Sequence, residues 1–155
     1  MRPGVVVSIN ISPGGVPKLP VGQAELRTDG FVGDGHDDTK HHGGPERAVC
    51  IYATEIIDAL AQEGHPISVG SAGENLTVTG LDWSCMVPGV KLQIGSAVVE
   101  LVSYTSPCRT IRGSFLDGRF QRISQVANPG WSRVYGKVLV EGLVQVGDSV
   151  GEIAE

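Results

Sequence analysis

Apolar residues recur along this chain mostly at every second position, in short runs, and twice at helical spacing. Val7, Ile9 and Ile11 alternate with Ser8, Asn10 and Ser12, which predicts a half-buried strand. Pro13-Gly14-Gly15 ends it, and the prolines of Val16-Pro17-Lys18-Leu19-Pro20 hold the next stretch extended. Residues 23–28 read as a further short strand before Asp29-Gly30. Residues 48–53 are apolar almost throughout and read as a buried strand. Thr54 is placed to cap a helix over residues 55–63, with Ile56, Ile57, Leu60 and Ala61 as its apolar stripe. Gly64 and Pro66 stop it. A second stripe, Phe120, Ile123 and Val126 or Ala127, predicts a shorter helix over residues 119–127, ended by Asn128-Pro129-Gly130.

The other patterned segments read as hairpins. Residues 91–94 and 97–102 flank Gly95-Ser96, and glycine at the first turn position suits a type II′ turn. Residues 138–140 and 143–146 repeat the arrangement around Glu141-Gly142, and a short strand around Val150 follows Gly147-Asp148. Many short strands with one or two short helices predict a mainly β fold, a closed or nearly closed β-barrel. Regular strand–helix alternation is missing, which argues against a parallel α/β sheet.

Composition narrows the function. At 155 residues the chain is expected to form a single domain, 1–155, and its Gly 22 and Pro 9 fit a turn-rich β protein. The net charge of -5 and the lack of a Lys/Arg-rich run argue against a nucleic-acid partner. No apolar run is long enough to span a membrane, and Ser8 and Asn10 interrupt any signal-like stretch, so a cytoplasmic location is expected. Cys50, Cys85 and Cys108 are odd in number and widely spaced, which suits reduced thiols rather than a disulfide framework or structural zinc.

The candidate chemistry lies in the loops. Cys108 follows Pro107 and precedes Arg109 and Arg112; nearby positive charge makes thiolate available as nucleophile or soft-metal ligand, the alternative being a small buried hydrophobe. Cys50 reads as a core residue, and Cys85 has no assigned role. Residues 33–47 hold three of the four histidines and open into the buried strand, as a binding loop does. His36, Asp37, His41 and His42 invite a metal hypothesis, but their spacing matches no zinc motif and Lys40 adds repelling charge. A hydrogen bond from His42 to a ligand or to backbone is the preferred reading. Asn75, in Gly73-Glu74-Asn75-Leu76-Thr77-Val78, offers both donors and acceptors to a heteroaromatic edge, against the plainer reading of an Asx-type turn. Any of Lys18, Arg47, Arg109, Arg112, Arg119 and Arg133 that converge make a phosphate site; singly each reads as a solvated charge. Trp131, beside Arg133, is expected to be a half-buried packing residue.

Taken in order, Gly33-Asp34, His42-Gly43-Gly44-Pro45 with Arg47-Ala48-Val49, Gly73-Glu74-Asn75-Leu76-Thr77, Pro107-Cys108 and Gly147-Asp148 resemble a MOSC domain, named for the C-terminal domain of molybdenum-cofactor sulfurases. The resemblance runs from about Ser12 to Asp148, and in size the chain resembles the small stand-alone bacterial members. It implies a β-barrel and a molybdopterin-type cofactor, with Cys108 as the protein ligand to molybdenum. Lys18, Arg47 and Arg133 are then candidates for the cofactor's phosphate, with the Gly43-Gly44 backbone and His42 beside them. Asn75 would face the cofactor or the open position of the metal, and Glu74 would orient it or a neighbouring arginine. The implied activity is reduction of N-hydroxylated compounds, with electrons from a separate donor protein. The alternative is a non-catalytic carrier of persulfide sulfur or of the cofactor. Pyridoxal phosphate enters only through a separate sulfurase partner. Two stretches depart from the family pattern: Val87-Pro88-Gly89-Val90, expected to alter only a turn, and Arg109-Thr110-Ile111, which bears on access to the metal. The oligomeric state is left open.

Overall fold

The computed structural model describes residues 3–35 and 44–154. His36, Asp37, Lys40, His41, His42 and Gly43 lie outside the described residues, so their expected roles stay expectations.

The strands are β1 (Gly4–Ile11), β2 (Leu19–Val21), β3 (Gln23–Arg27), β4 (Gly30–Phe31), β5 (Val49–Ala53), β6 (Leu76–Thr79), β7 (Lys91–Ile94), β8 (Ala97–Tyr104), β9 (Val134–Val140), β10 (Gly142–Gln145) and β11 (Ser149–Glu152). The main sheet runs β11-β7-β8-β9-β5-β6-β1, and β11 pairs back onto β1, so seven strands close a barrel. One edge of β1 is shared: Gly4 and Val5 face β11, while Ile9, Asn10 and Ile11 face β2. A small sheet, β10-β3-β4, lies beside the barrel. The barrel core gathers Val6, Ile9, Ile51, Leu76, Leu92, Ile94, Val99, Leu101 and Val134, among others.

The helix α1 (Thr54–Gln62) buries Ile57 and Leu60 and stops at Gly64, whose φ is 101°. Two details differ from expectation. Ala53 is the N-cap and Thr54 the first helical residue, and the buried Thr54 hydroxyl has no hydrogen-bond partner among the described residues. The helix start is tied instead by Glu55, which accepts from the Gly80 N–H and the Thr79 hydroxyl, both at 2.8 Å. The β5–α1–β6 unit is a parallel crossover, Ile51 opposite Leu76, set inside an otherwise antiparallel barrel.

Other expectations are corrected. Val5 and Val7 are exposed on β1, and the register shift between Val6 and Ser8 lets Val6 and Ile9 both enter the barrel core; Ser8 and Asn10, on the other face, are nevertheless buried, with Asn10 bonded to Glu74 and Thr77. The helix expected over 119–127 is only a 3-10 turn, Phe120–Ile123, and Val126 is 94% exposed. Side chains there compete for the backbone: the Ser124 hydroxyl accepts from the Ala127 N–H, and the Asn128 amide donates to the Arg122 carbonyl. The hairpin expected around Glu141-Gly142 does not form, because β10 leaves β9 and pairs with β3, Val144 opposite Ala24. The first hairpin forms as expected, Ile94 opposite Ala97, with Gly95 at φ 56° and no positive φ at Ser96, as a type II′ turn requires.

α1, the turn at 70–73 and the segment after Cys108 share a second, smaller core of Tyr52, Ile57, Leu60, Ile67, Ala72, Ile111, Phe115 and Ile123. No helix among the described residues is long and apolar enough to cross a membrane.

Candidate functional site

Strand β8 ends at Tyr104, and its line continues for one residue, because the Thr105 N–H donates to the Arg133 carbonyl at 2.9 Å. Ser106 and Pro107 then carry the chain out of the sheet. Cys108 is extended, at φ -135° and ψ 171°, and caps the 3-10 segment Arg109–Ser114. The carbonyl of Cys108 accepts the Ile111 N–H at 3.1 Å, which anchors the thiol's backbone to the second core through Ile111.

The half-buried Cys108 thiol lies on a cavity of about 360 Å³, within the size range of small-molecule sites. Its wall is built by Ser103, Tyr104, Ser106, Pro107, Tyr135, Glu46 and Arg47. The last two come from the 3-10 turn Pro45–Arg47, which starts after Gly44 at φ 82°. The loop singled out in the sequence thus delivers its C-terminal end to the thiol. The Glu46 carboxylate is 3.5 Å from the Lys137 ammonium.

Behind this wall lies a buried polar layer. Tyr135 sits opposite Cys50 in the β5–β9 register. The Cys50 N–H donates to Asn75 Oδ1 at 3.0 Å, and Asn75 Nδ2 donates to Asp34 Oδ2 at 2.9 Å and to the Asn10 carbonyl at 3.3 Å. Asp34 Oδ1 accepts from Lys18 Nζ at 2.6 Å and from the Ser12 N–H at 3.0 Å. Glu74 Oε2 accepts from the Gly70 N–H and the Thr77 hydroxyl, both at 3.0 Å. Asn10 closes the layer, its amide donating to the Glu74 carbonyl and to the Thr77 hydroxyl. Gly70 has φ 81°, and a Cβ there would collide with the Lys18 carbonyl, so only glycine keeps this turn against the network.

Arg133 is a second buried cation of the layer, beside Lys18. Its Nη1 donates to the Ala72 carbonyl at 2.7 Å, while its Nε has no hydrogen-bond partner among the described residues. Glu74 Oε1 is likewise without one. Burial pushes the Cys50 thiol, the Glu74 carboxyl and the Tyr52 and Tyr135 hydroxyls above their ordinary values, and the positive charge of Arg133 opposes each rise.

The structure therefore brings Cys108 and Arg47 to one cavity. Lys18, Glu74, Asn75 and Arg133 stand in the polar layer behind it, with Lys18 paired to Asp34 and the Asn75 amide fully engaged. Arg109, Arg112 and Arg119 are exposed and outside the cavity wall, and Trp131 is half-buried with the Arg122 guanidinium 3.9 Å above its ring. Tyr104, Tyr135 and Glu46 carry no assigned role in the sequence, although Glu46 lies in the loop before β5 and Tyr135 among the aromatics beside Arg133. The available signal was Tyr135, a bulky polar-tipped residue two positions after Arg133. No cluster of three or more His, Cys, Asp or Glu side chains suited to a metal ion occurs among the described residues.

A closed barrel presenting a cysteine in the wall of a cavity that Arg47 and Glu46 also line is the class of domain this geometry defines. A model of the MOSC domain matches residues 38–151, and the chain belongs to the MOSC family. The uncharacterized protein YflK of Bacillus subtilis (strain 168) is 34% identical over 135 residues, 86% of this chain and 60% of its own length. Protein YiiM of Escherichia coli (strain K12) is 30% identical over 125 residues, 77% of this chain and 56% of its own. The chain thus spans less than two thirds of these curated relatives. YiiM from Geobacillus stearothermophilus superposes with a TM-score of 0.77 at 24% identity, covering 98% of this chain and 76% of that one. The YuaD protein from Bacillus subtilis gives 0.74 at 16% identity, covering 96% and 94%. At these identities the likeness is one of fold.

Proposed function

We propose that this chain binds a molybdenum cofactor at the Cys108 cavity and uses it to reduce N-hydroxylated compounds. The observation that carries the reading is the Cys108 thiol, half-buried on a small-molecule-sized cavity with Arg47 in its wall. The described residues supply no cluster of side-chain ligands for a bare ion. A soft metal held by Cys108 suits a group that brings most of its own ligands, as one chelated by an organic dithiolene does. Arg47 in the wall, with the buried charge of Arg133 behind it, suits an anionic ligand group, so the residues present fit such a cofactor.

The bound cofactor supplies the two-electron redox chemistry. The chain's contribution is binding and electrostatics. Cys108 offers the thiolate, Arg47 the cationic wall, and Tyr104 and Tyr135 flat surfaces against which a substrate is oriented. The overall change breaks the N–O bond, takes up two electrons and two protons, and leaves an amine and water. The electrons come from a separate protein donor.

The test is metal and pterin content of protein purified without air from a host that makes the cofactor, alongside Cys108→Ala. Stoichiometric molybdenum and pterin, lost or loosened in the variant, is the expected result. Folded protein without molybdenum in either sample overturns the reductase reading. A persulfide on Cys108, found by mass spectrometry of that protein, would then favour a sulfur carrier.

A further inference from the structure

The stretch from Ser106 to Arg133 holds five arginines and one acid, Asp117, in a chain whose formal net charge is -5. Arg133 is buried, and Arg122 is engaged by Glu63 and the Trp131 ring. Arg109, Arg112 and Arg119 are exposed. Arg109 and Arg112 sit three apart in the 3-10 segment that Cys108 caps, a spacing that puts them on one side. Among the described residues neither makes an ion pair; Arg112 Nη1 donates to the Arg109 carbonyl at 3.0 Å. The Arg119–Asp117 pair, at 3.6 Å, is open to water on both sides, so it leaves the local field largely cationic. The same stretch exposes Leu116 and Val126, the latter 94% exposed. The residue that leads this cationic stretch is the cavity thiol itself.

We propose that this arginine face docks an acidic electron-carrier protein, bearing a flavin or an iron–sulfur cluster, which reduces the site beside it. The proposal rests on the reductase reading above. Each N–O bond broken takes two electrons and two protons; a one-electron carrier is oxidised twice, and the protons come from solvent. The sequence has no Cys-x-x-Cys pair, and the reductase reading takes its electrons from a separate protein, which has to dock near Cys108. Complexes that pass electrons are small and steered by charge. An acidic carrier is repelled by the acidic surface elsewhere and drawn to this cationic stretch, which orients it toward Cys108. A nucleic acid is the less suited occupant: Trp131, the large aromatic of this stretch, already lies under Arg122.

The test uses cofactor-loaded protein and the double variant Arg112→Gln/Arg119→Gln. Turnover of an N-hydroxylated substrate is driven either by reduced methyl viologen, which needs no docking, or by reduced flavodoxin or ferredoxin, both acidic. The expected result is a KM for the protein donor raised about tenfold in the variant, with viologen-driven turnover unchanged. Rising ionic strength should slow the donor-driven reaction of the wild type and affect the variant little. Equal donor KM and equal salt dependence in both proteins overturn the docking face and leave the reductase reading standing. So does viologen turnover that neither acidic donor supports, or displacement of the donor from this face by a single-stranded oligonucleotide. No turnover with viologen removes the reductase reading, and the docking proposal with it.

Discussion

The side-chain oxygen of Asn75 accepts the backbone N–H of Cys50 at 3.0 Å, while the Cys50 carbonyl accepts the backbone N–H of Asn75 at 2.8 Å. This reciprocal clasp joins the start of β5, which follows the loop at Gly44–Arg47, to the start of β6. Asn75→Ala strips the buried Cys50 N–H and Asp34 of a partner each and should cost about 2 kcal/mol. Asn75→Asp places a second carboxyl where Nδ2 now touches Asp34 at 2.9 Å, so it should cost more at neutral pH and recover on acidification. Urea denaturation of both variants across pH checks this.

Lys18 and Asp34 form a buried ion pair, with side chains 8% and 2% exposed. Lys18→Met leaves the Asp34 carboxylate without its cation and should cost about 3–5 kcal/mol. Adding Asp34→Asn should restore part of that loss. A double-mutant cycle by chemical denaturation reads the coupling, and additive losses would contradict it.

Glu74 is held above its ordinary 4.5 by burial, against the pull of its hydrogen bonds and of Arg133. The folded protein therefore keeps a proton that the unfolded chain releases. The resulting stabilisation is complete below the ordinary carboxylate range and is lost as pH rises through the raised value. Glu74→Gln, neutral at every pH, should flatten the decline of the urea midpoint above pH 4.5; an unchanged slope would count against a raised Glu74.

The three thiols should separate by reactivity. Cys50 is buried, Cys108 half-buried and Cys85 exposed. A hydrogen bond to Asp82, with that carboxylate's charge, pushes the Cys85 thiol up. Brief iodoacetamide treatment of the folded protein should leave Cys50 unlabelled, and Asp82→Asn should speed labelling of Cys85. Peptide mass spectrometry reads all three sites at once.

Local patterns were legible in the sequence. Gly95-Ser96 between alternating residues specifies the β7–β8 hairpin, and the Ile57–Leu60 stripe with Gly64 specifies α1. Pro107-Cys108 between polar residues marked the thiol that the cavity contains. Contacts chosen across long separations were not legible. Gly142–Gln145 looked like a hairpin partner for Val138–Val140, yet it pairs with residues 23–26. Ser8 and Asn10 looked like the wet face of β1, because the partners of the Asn10 amide, Glu74 and Thr77, lie more than sixty positions on, and the Ser8 hydroxyl is buried against Asn10 itself. The cavity wall has the same character: Glu46, Tyr104 and Tyr135 come from separate segments, and no local pattern joins them.

The division into two apolar cores has a consequence in time rather than space. The segment that positions Cys108 is anchored by Ile111, Phe115 and Ile123, which belong to the smaller core with α1, while β8 and β9 are locked into the barrel. A small cluster under 3-10 turns opens at lower free-energy cost than a closed ladder of strands. Amide hydrogen exchange should therefore proceed faster over residues 109–123 than over β8 and β9. On that ordering the thiol has a shorter residence in its working geometry than the barrel has in its fold, and the site can fall open and re-form many times within the lifetime of one intact scaffold.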